Sequence, residues 1–130
     1  MAELKDLIGK KLKSVARIDY GFGGYNEIIF TTINNKKYHL YHRNNCCENV
    51  YIEDICGALN DLVGSPITMA EEIDNKVSAS ATKKANGGYM PESYTWTFYK
   101  FATIKGYVTM RWLGTSNGYY SESVYFDEVK

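Results

Sequence analysis

The chain has 130 residues, enough for one domain with a core of its own and no need of disulfides. Hydrophobic residues make up 45% and charged residues 23%, which excludes a disordered chain. Lys+Arg and Asp+Glu number 15 each, so the formal net charge is zero. This argues against a general nucleic-acid binder, whose affinity comes from an excess of Lys and Arg over the phosphates.

No apolar run approaches the roughly 20 residues of a membrane span. The charged start Met1-Ala2-Glu3-Leu4-Lys5-Asp6 lacks the apolar core of a signal peptide, so the expected location is the cytoplasm, with no membrane contact. The 3 cysteines, an odd number in a reducing compartment, are then thiols, thiolates or metal ligands. The 12 tyrosines suit strands with one wet face, because the ring packs while the hydroxyl reaches water.

In chain order, Leu4 to Leu12 reads as a short helical turn or loop. Leu12 to Tyr20 alternates as a strand, with Leu12, Ala16, Ile18 and Tyr20 on one face. Gly21-Phe22-Gly23-Gly24 turns into the β-branched run Tyr25 to Ile33, and Asn34-Asn35 turns again into Lys36 to His42. These three strands make a meander. Beyond the loop Arg43 to Asn49, the residues Ile52, Ile55, Cys56, Leu59, Leu62 and Val63 recur at helical spacing, with Gly57 a weak point and Gly64 a stop. Ile67 to Ile73 is extended. Residues 74–91, small and polar, read as a mobile loop, or else Asp74 to Ala85 prolongs the strand.

The last third carries the strongest strand signal. In Tyr94 to Ile104 the residues Tyr94, Trp96, Phe98, Ala102 and Ile104 share a face. Lys105-Gly106 turns into Tyr107 to Leu113, where Val108, Met110 and Trp112 align. Ser116-Asn117-Gly118 then leads to Tyr119 to Phe126. The fold expected is a single α+β domain over residues 1–130: two antiparallel β-meanders forming a twisted sheet, bridged by one short helix.

Chemistry concentrates in one window of 15 residues, where His42, Cys46, Cys47 and Cys56 stand at His-x3-Cys-Cys-x8-Cys. Imidazole and thiolate are ligands Zn2+ prefers, and a short strand-to-loop spacer lets two of them reach one ion. Glu48, Glu53, Asp54 or His39 would complete a site. The alternative is three unrelated cysteines, with Cys56 a small core hydrophobe at helical spacing from Ile52 and Leu59. A reactive thiol is a further alternative, although no orienting group for a Cys–His pair stands out. Trp96, Trp112, Tyr119 and Tyr120 would make a ligand or partner contact, as a stacking platform, or else cross-strand pairs; Lys100, Lys105 and Arg111 decide the matter if they share its face.

Two blocks carry a resemblance. One is Leu40-Tyr41-His42, Cys46-Cys47-Glu48 and Val50 to Gly57, followed by Asp61 to Ile67. The other is Tyr94-Thr95-Trp96-Thr97-Phe98-Tyr99-Lys100 through Gly106, then Ser116 to Ser121. Together they resemble a family of small phage- and prophage-encoded domains, mainly of Gram-positive bacteria, and through it the metal-bound Cas9-type anti-CRISPR proteins. The resemblance implies a phage-encoded, non-enzymatic anti-defence protein that binds a host CRISPR effector nuclease and blocks its use of target DNA. It also implies a structural zinc held by His42, Cys46, Cys47 and Cys56. A neutral chain does not suit mimicry of DNA charge, so the expected contact is one of shape with a protein domain. The rival expectations are a module for nucleotide signals, with Trp96, Trp112 and Tyr119 lining a pocket, and a thiol enzyme using Cys46 or Cys47.

Overall fold

The computed structural model describes residues 2–19, 26–42, 48–77, 93–116 and 122–129. Eight strands follow one another: β1 (Leu12–Asp19), β2 (Asn26–Thr32), β3 (Lys37–Tyr41), β4 (Asn49–Cys56), β5 (Met69–Val77), β6 (Ser93–Thr103), β7 (Gly106–Ser116) and β8 (Tyr125–Val129). Helix among the described residues is confined to two short 3-10 turns, Leu4–Leu7 and Leu59–Leu62. The architecture is mainly antiparallel β. The bridging helix of the α+β expectation is absent from the described residues, and no helix there is long and apolar enough to cross a membrane.

The expected first meander forms. β1 pairs with β2 and β2 with β3, all antiparallel, around a turn in which Asn35 takes φ 66°, a left-handed conformation that asparagine tolerates. The β6–β7 hairpin also forms, through Ile104 and Lys105. The rest of the topology differs from a single sheet of two meanders. The strands divide into two four-stranded sheets, ordered β1-β2-β3-β8 and β4-β7-β6-β5. The last strand leaves β7 and pairs with β3 instead. β5 runs on through Asp74 to Val77; the remainder of the loop expected at 74–91 lies outside the described residues.

The segment read as a helix begins as β4. Its ladder with β7 runs in register to Ile52 opposite Trp112, slips by one residue, and resumes with Asp54 opposite Arg111 and Ile55 opposite Met110. The extra residue, a β-bulge, puts Ile52 and Ile55 on the same face at a spacing of three, which imitates a helical period. Gly57 then ends the strand with φ 105°, and an added Cβ there would stand 2.6 Å from the Tyr107 carbonyl oxygen. A second bulge, between Leu12 and Ser14 in β1, buries Leu12 while Ala16 and Ile18 take the other face.

The two sheets pack face to face. Phe30 of the first meets Phe101 of the second with ring centroids 5.1 Å apart. Ile28, Leu40, Val50, Tyr99, Val108, Met110 and Trp112 fill the layer between them, and Leu7, Leu62 and Ile67 close one end. Side chains of this size contribute about 1.5–3 kcal/mol each when fully buried. In β6 it is Tyr99 and Phe101 that face this core, so Trp96 and Phe98 face outward.

Register fixes the other end. Asp19 lies beside Asn26 and Tyr41 beside Tyr125 in the first sheet, while Asn49 lies beside Thr115 and Ser93 beside Ser116 in the second. The Ile52 N–H donates to Asn26 Oδ1 at 2.7 Å and ties the sheets together there. His42 follows β3 at this end.

Candidate functional site

Beneath that end lies a layer of polar side chains inside the sandwich. His42 Nδ1 stands 2.6 Å from the carbonyl oxygen of Ser123, which can only accept, so Nδ1 carries a hydrogen. Nε2 faces Glu48 Oε2 at 3.1 Å, with the two side chains 1% and 0% exposed. A hydrogen bond between these two atoms needs a hydrogen on one of them. The Tyr125 ring stacks near the imidazole, with centroids 6.1 Å apart. Beside this pair the buried Glu122 accepts hydrogen bonds from Ser116 Oγ and, at 2.7 Å, from Thr95 Oγ1. Gly114 of β7 makes the room: a Cβ there would stand 2.7 Å from Glu122 Cβ and 2.9 Å from its carbonyl oxygen.

The expected metal cluster is brought together only in part. His42 is in place, and Glu48, which the sequence offered as a completing ligand, faces it. Two ligands on one tetrahedral Zn2+ at bonds of about 2.0–2.1 Å stand about 3.3 Å apart, close to the Nε2–Oε2 separation, and a His ligand commonly donates its other N–H to a carbonyl. Two donors of the right kind therefore converge. Cys46 and Cys47 lie outside the described residues. Cys56 is not brought to His42 and Glu48: it ends β4, whose first residue Asn49 adjoins Glu48, so about 23 Å of strand separates it from that end. Nor is it a core residue. It follows the bulge on the outward face, exposed, with its thiol donating to Asp54 Oδ2 at 3.5 Å. Among the described residues no group of three His, Cys, Asp or Glu could hold a metal.

His39 belongs to a different network. It pairs with Glu27 and stacks on Tyr41 with centroids 4.0 Å apart, and the Tyr41 hydroxyl donates to Asp127 at 2.6 Å. The whole set lies on the outer face of the first sheet.

The expected aromatic platform is divided by the sheet. Trp96 pairs with Leu113, the neighbour of Trp112, so the two tryptophans point to opposite faces. Trp112 is 0% exposed in the core, and its Nε1 meets no acceptor among the described residues. Tyr119 and Tyr120 lie outside the described residues. Trp96 keeps different company. The Arg111 guanidinium stands 5.4 Å over its ring and also bonds Glu53. Phe98 lies opposite Arg111 and Ile73 opposite Phe98, with Tyr51 opposite Leu113 on the same outer face. Ile73 is 48% exposed, and Trp96, Phe98, Tyr51 and Arg111 retain partial solvent access. Of the three cations singled out in the sequence, Lys100 and Arg111 share this face, while Lys105 donates to the Val63 carbonyl.

Sequence reasoning missed Glu122, Ser116 and Thr95. They are hydrogen-bonded polar residues from three separate segments, and only the sheet register juxtaposes them.

A family model described as a domain of unknown function (DUF7448) matches residues 5–126, and the chain belongs to that family. No curated protein and no solved structure matches the chain.

Proposed function

We propose that this member of the DUF7448 family works by binding a protein partner rather than by catalysis, through the outer face of the β4-β7-β6-β5 sheet. The observation that carries the reading is the set Trp96, Phe98, Tyr51 and Arg111 on one sheet face, which the exposed Ile73 shares. Aromatic residues and arginine are the types enriched where protein interfaces concentrate their energy. Zero net charge favours a contact of shape over mimicry of DNA. The resemblance of the two sequence blocks to phage-encoded domains supports a host CRISPR effector nuclease as the partner, with target DNA use blocked. The nucleotide-pocket alternative loses support because Trp96 and Trp112 stand on opposite faces.

The test is target cleavage and target binding by a guide-loaded Cas9-type nuclease, with and without the protein. Inhibition is expected, together with loss of at least about 2 kcal/mol of affinity in Trp96→Ala or Arg111→Ala. Cleavage and binding that are both unchanged would remove this partner.

The same proposal gives the protein a structural zinc at the end of β3, with His42 and Glu48 as ligands and Cys46 and Cys47, between them in sequence, supplying thiolates. Such an ion would clamp strand ends and take no part in chemistry. Elemental analysis of untagged protein is expected to find about one zinc per chain; a value near zero ends the zinc proposal and leaves the binding face untouched.

A further inference from the structure

A cleft of about 480 Å3 opens between the edge strands β5 and β8, beneath the segment Ala2–Lys5. Leu4, Val124 and Phe126 give it apolar walls, and Glu3, Glu72 and Asp127 make it acidic. Its single base, Lys5, is held at 3.0 Å by Glu3, and the Asp127 carboxylate accepts the Tyr41 hydroxyl. Glu72 has no cationic partner among the described residues.

Tyr99 lies directly opposite Glu72 in the β5–β6 ladder. It is 1% exposed, and its hydroxyl has no partner at hydrogen-bonding geometry among the described residues. Yet the two groups stand close enough to perturb each other. Burial first and the neighbouring Asp74 second hold the Glu72 carboxyl above its ordinary range, with the Tyr99 hydroxyl pulling it back. Burial first and Glu72 second push the Tyr99 hydroxyl upward. The Glu72 carboxylate, exposed at the rim of the cleft and without a counter-ion among the described residues, is open to a charge-assisted hydrogen bond from a ligand with N–H donors.

We propose that this cleft binds an organic cation, an ammonium or guanidinium on an apolar stem. The stem lies against Leu4, Val124 and Phe126, and the head donates to Glu72. Flat apolar walls accept the stem, and a charge-assisted bond to Glu72 orients it. The cation is either a free small molecule or a basic side chain of a macromolecule. The site does not depend on the partner proposed above.

The experiment is titration of the chain with n-butylguanidinium, followed by backbone amide NMR, with n-butanol and butyrate as uncharged and anionic controls. Saturable shifts confined to Ala2–Lys5, Glu72 and Val124–Asp127 are expected, with a Kd of about 0.1–10 mM. The controls produce none. Glu72→Gln weakens binding about tenfold. Glu71→Gln makes the same change of charge on the opposite face of β5, opposite Lys100, and leaves binding as it was. A parallel titration with N-acetylarginine methylamide separates the sources: saturation by both probes assigns the site to a basic side chain, and saturation by n-butylguanidinium alone assigns it to a free small cation. No saturable shift with either probe below about 10 mM, or equal weakening by both variants, overturns the proposal.

Discussion

The sandwich holds two groups of acids, and they differ in how well they are satisfied. At the His42 end, Glu48 faces an imidazole whose other nitrogen is anchored on a carbonyl, and Glu122 accepts two hydroxyls. At the β5 edge, Glu72 has no cation and Tyr99 no acceptor among the described residues. Both places set a carboxyl beside a hydroxyl or imidazole, but Glu48 and Glu122 are buried whereas Glu72 is exposed at the cleft. What differs is closure. A closed network holds strand ends in one arrangement, whereas an open one is what a ligand completes.

The contrast predicts opposite responses to substitution. Glu48→Ala leaves a buried imidazole opposite a void, and removing one member of a fully buried pair costs about 3–5 kcal/mol. Urea unfolding measures it; a loss under about 1 kcal/mol would mean that the pair does not hold the end together. Gly114→Ala acts on the same layer from behind, because its new Cβ would overlap Glu122 Cβ and carbonyl. To relieve the overlap, β7 or the segment that carries Glu122 and Ser123 must shift, at about 1–3 kcal/mol. Chemical shifts of the His42 ring are expected to move with it. Tyr99→Phe runs the other way. Removing a buried hydroxyl without a partner costs nothing or stabilises by up to about 1 kcal/mol. A loss of that size instead would show the hydroxyl to be satisfied, and the two groups would no longer differ.

The strands were legible where alternation is unbroken. β2, β3, β6 and β7 announce themselves by β-branched and aromatic runs between Asn and Gly turns. The helical reading of Ile52 to Val63 failed for a local reason: one residue inserted at the bulge gives Ile52 and Ile55 a spacing that a helix also gives. The bulge in β1 likewise separates Leu12 from Ala16, which simple alternation would set on one face. Period alone cannot separate a bulged strand from a short helix. Nor does period say which of two hydrophobic faces turns inward, and β6 carries Trp96 and Phe98 on one face and Tyr99 and Phe101 on the other. At the His42 end the sequence supplied His42 and, as one option, Glu48, because the two are only 6 residues apart. It could not supply Glu122, which reaches Ser116 and Thr95 only after the last strand has left the second sheet for the first. Cys56 was grouped with His42 by proximity in sequence, and a straight strand then carried it to the far end.

The smallest effect is also the most direct reading of the open group, and it lies in the pH dependence of stability. The Glu72 carboxyl is raised above its ordinary value of 4.5 by burial first and Asp74 second. A carboxyl raised in the folded state holds its proton more tightly there than in the unfolded chain. Its charge therefore opposes folding at neutral pH, and the opposition is relieved as pH falls through the raised value towards 4.5. Asp19 runs the other way: the hydrogen bond from Arg17 holds it low, so what it contributes is lost as acid protonates it. The native curve mixes the two. The difference between Glu72→Gln and the native chain isolates Glu72, because Asp19 is common to both. At pH 7 the glutamine variant is expected to be the more stable, by no more than about 0.5 kcal/mol since the side chain is exposed. Its advantage shrinks to nothing by about pH 4. With n-butylguanidinium present the order at pH 7 reverses, because the cation stabilises only the protein that retains the carboxylate. An advantage for the variant that is flat with pH would assign the effect to side-chain shape and leave the cleft without its charge.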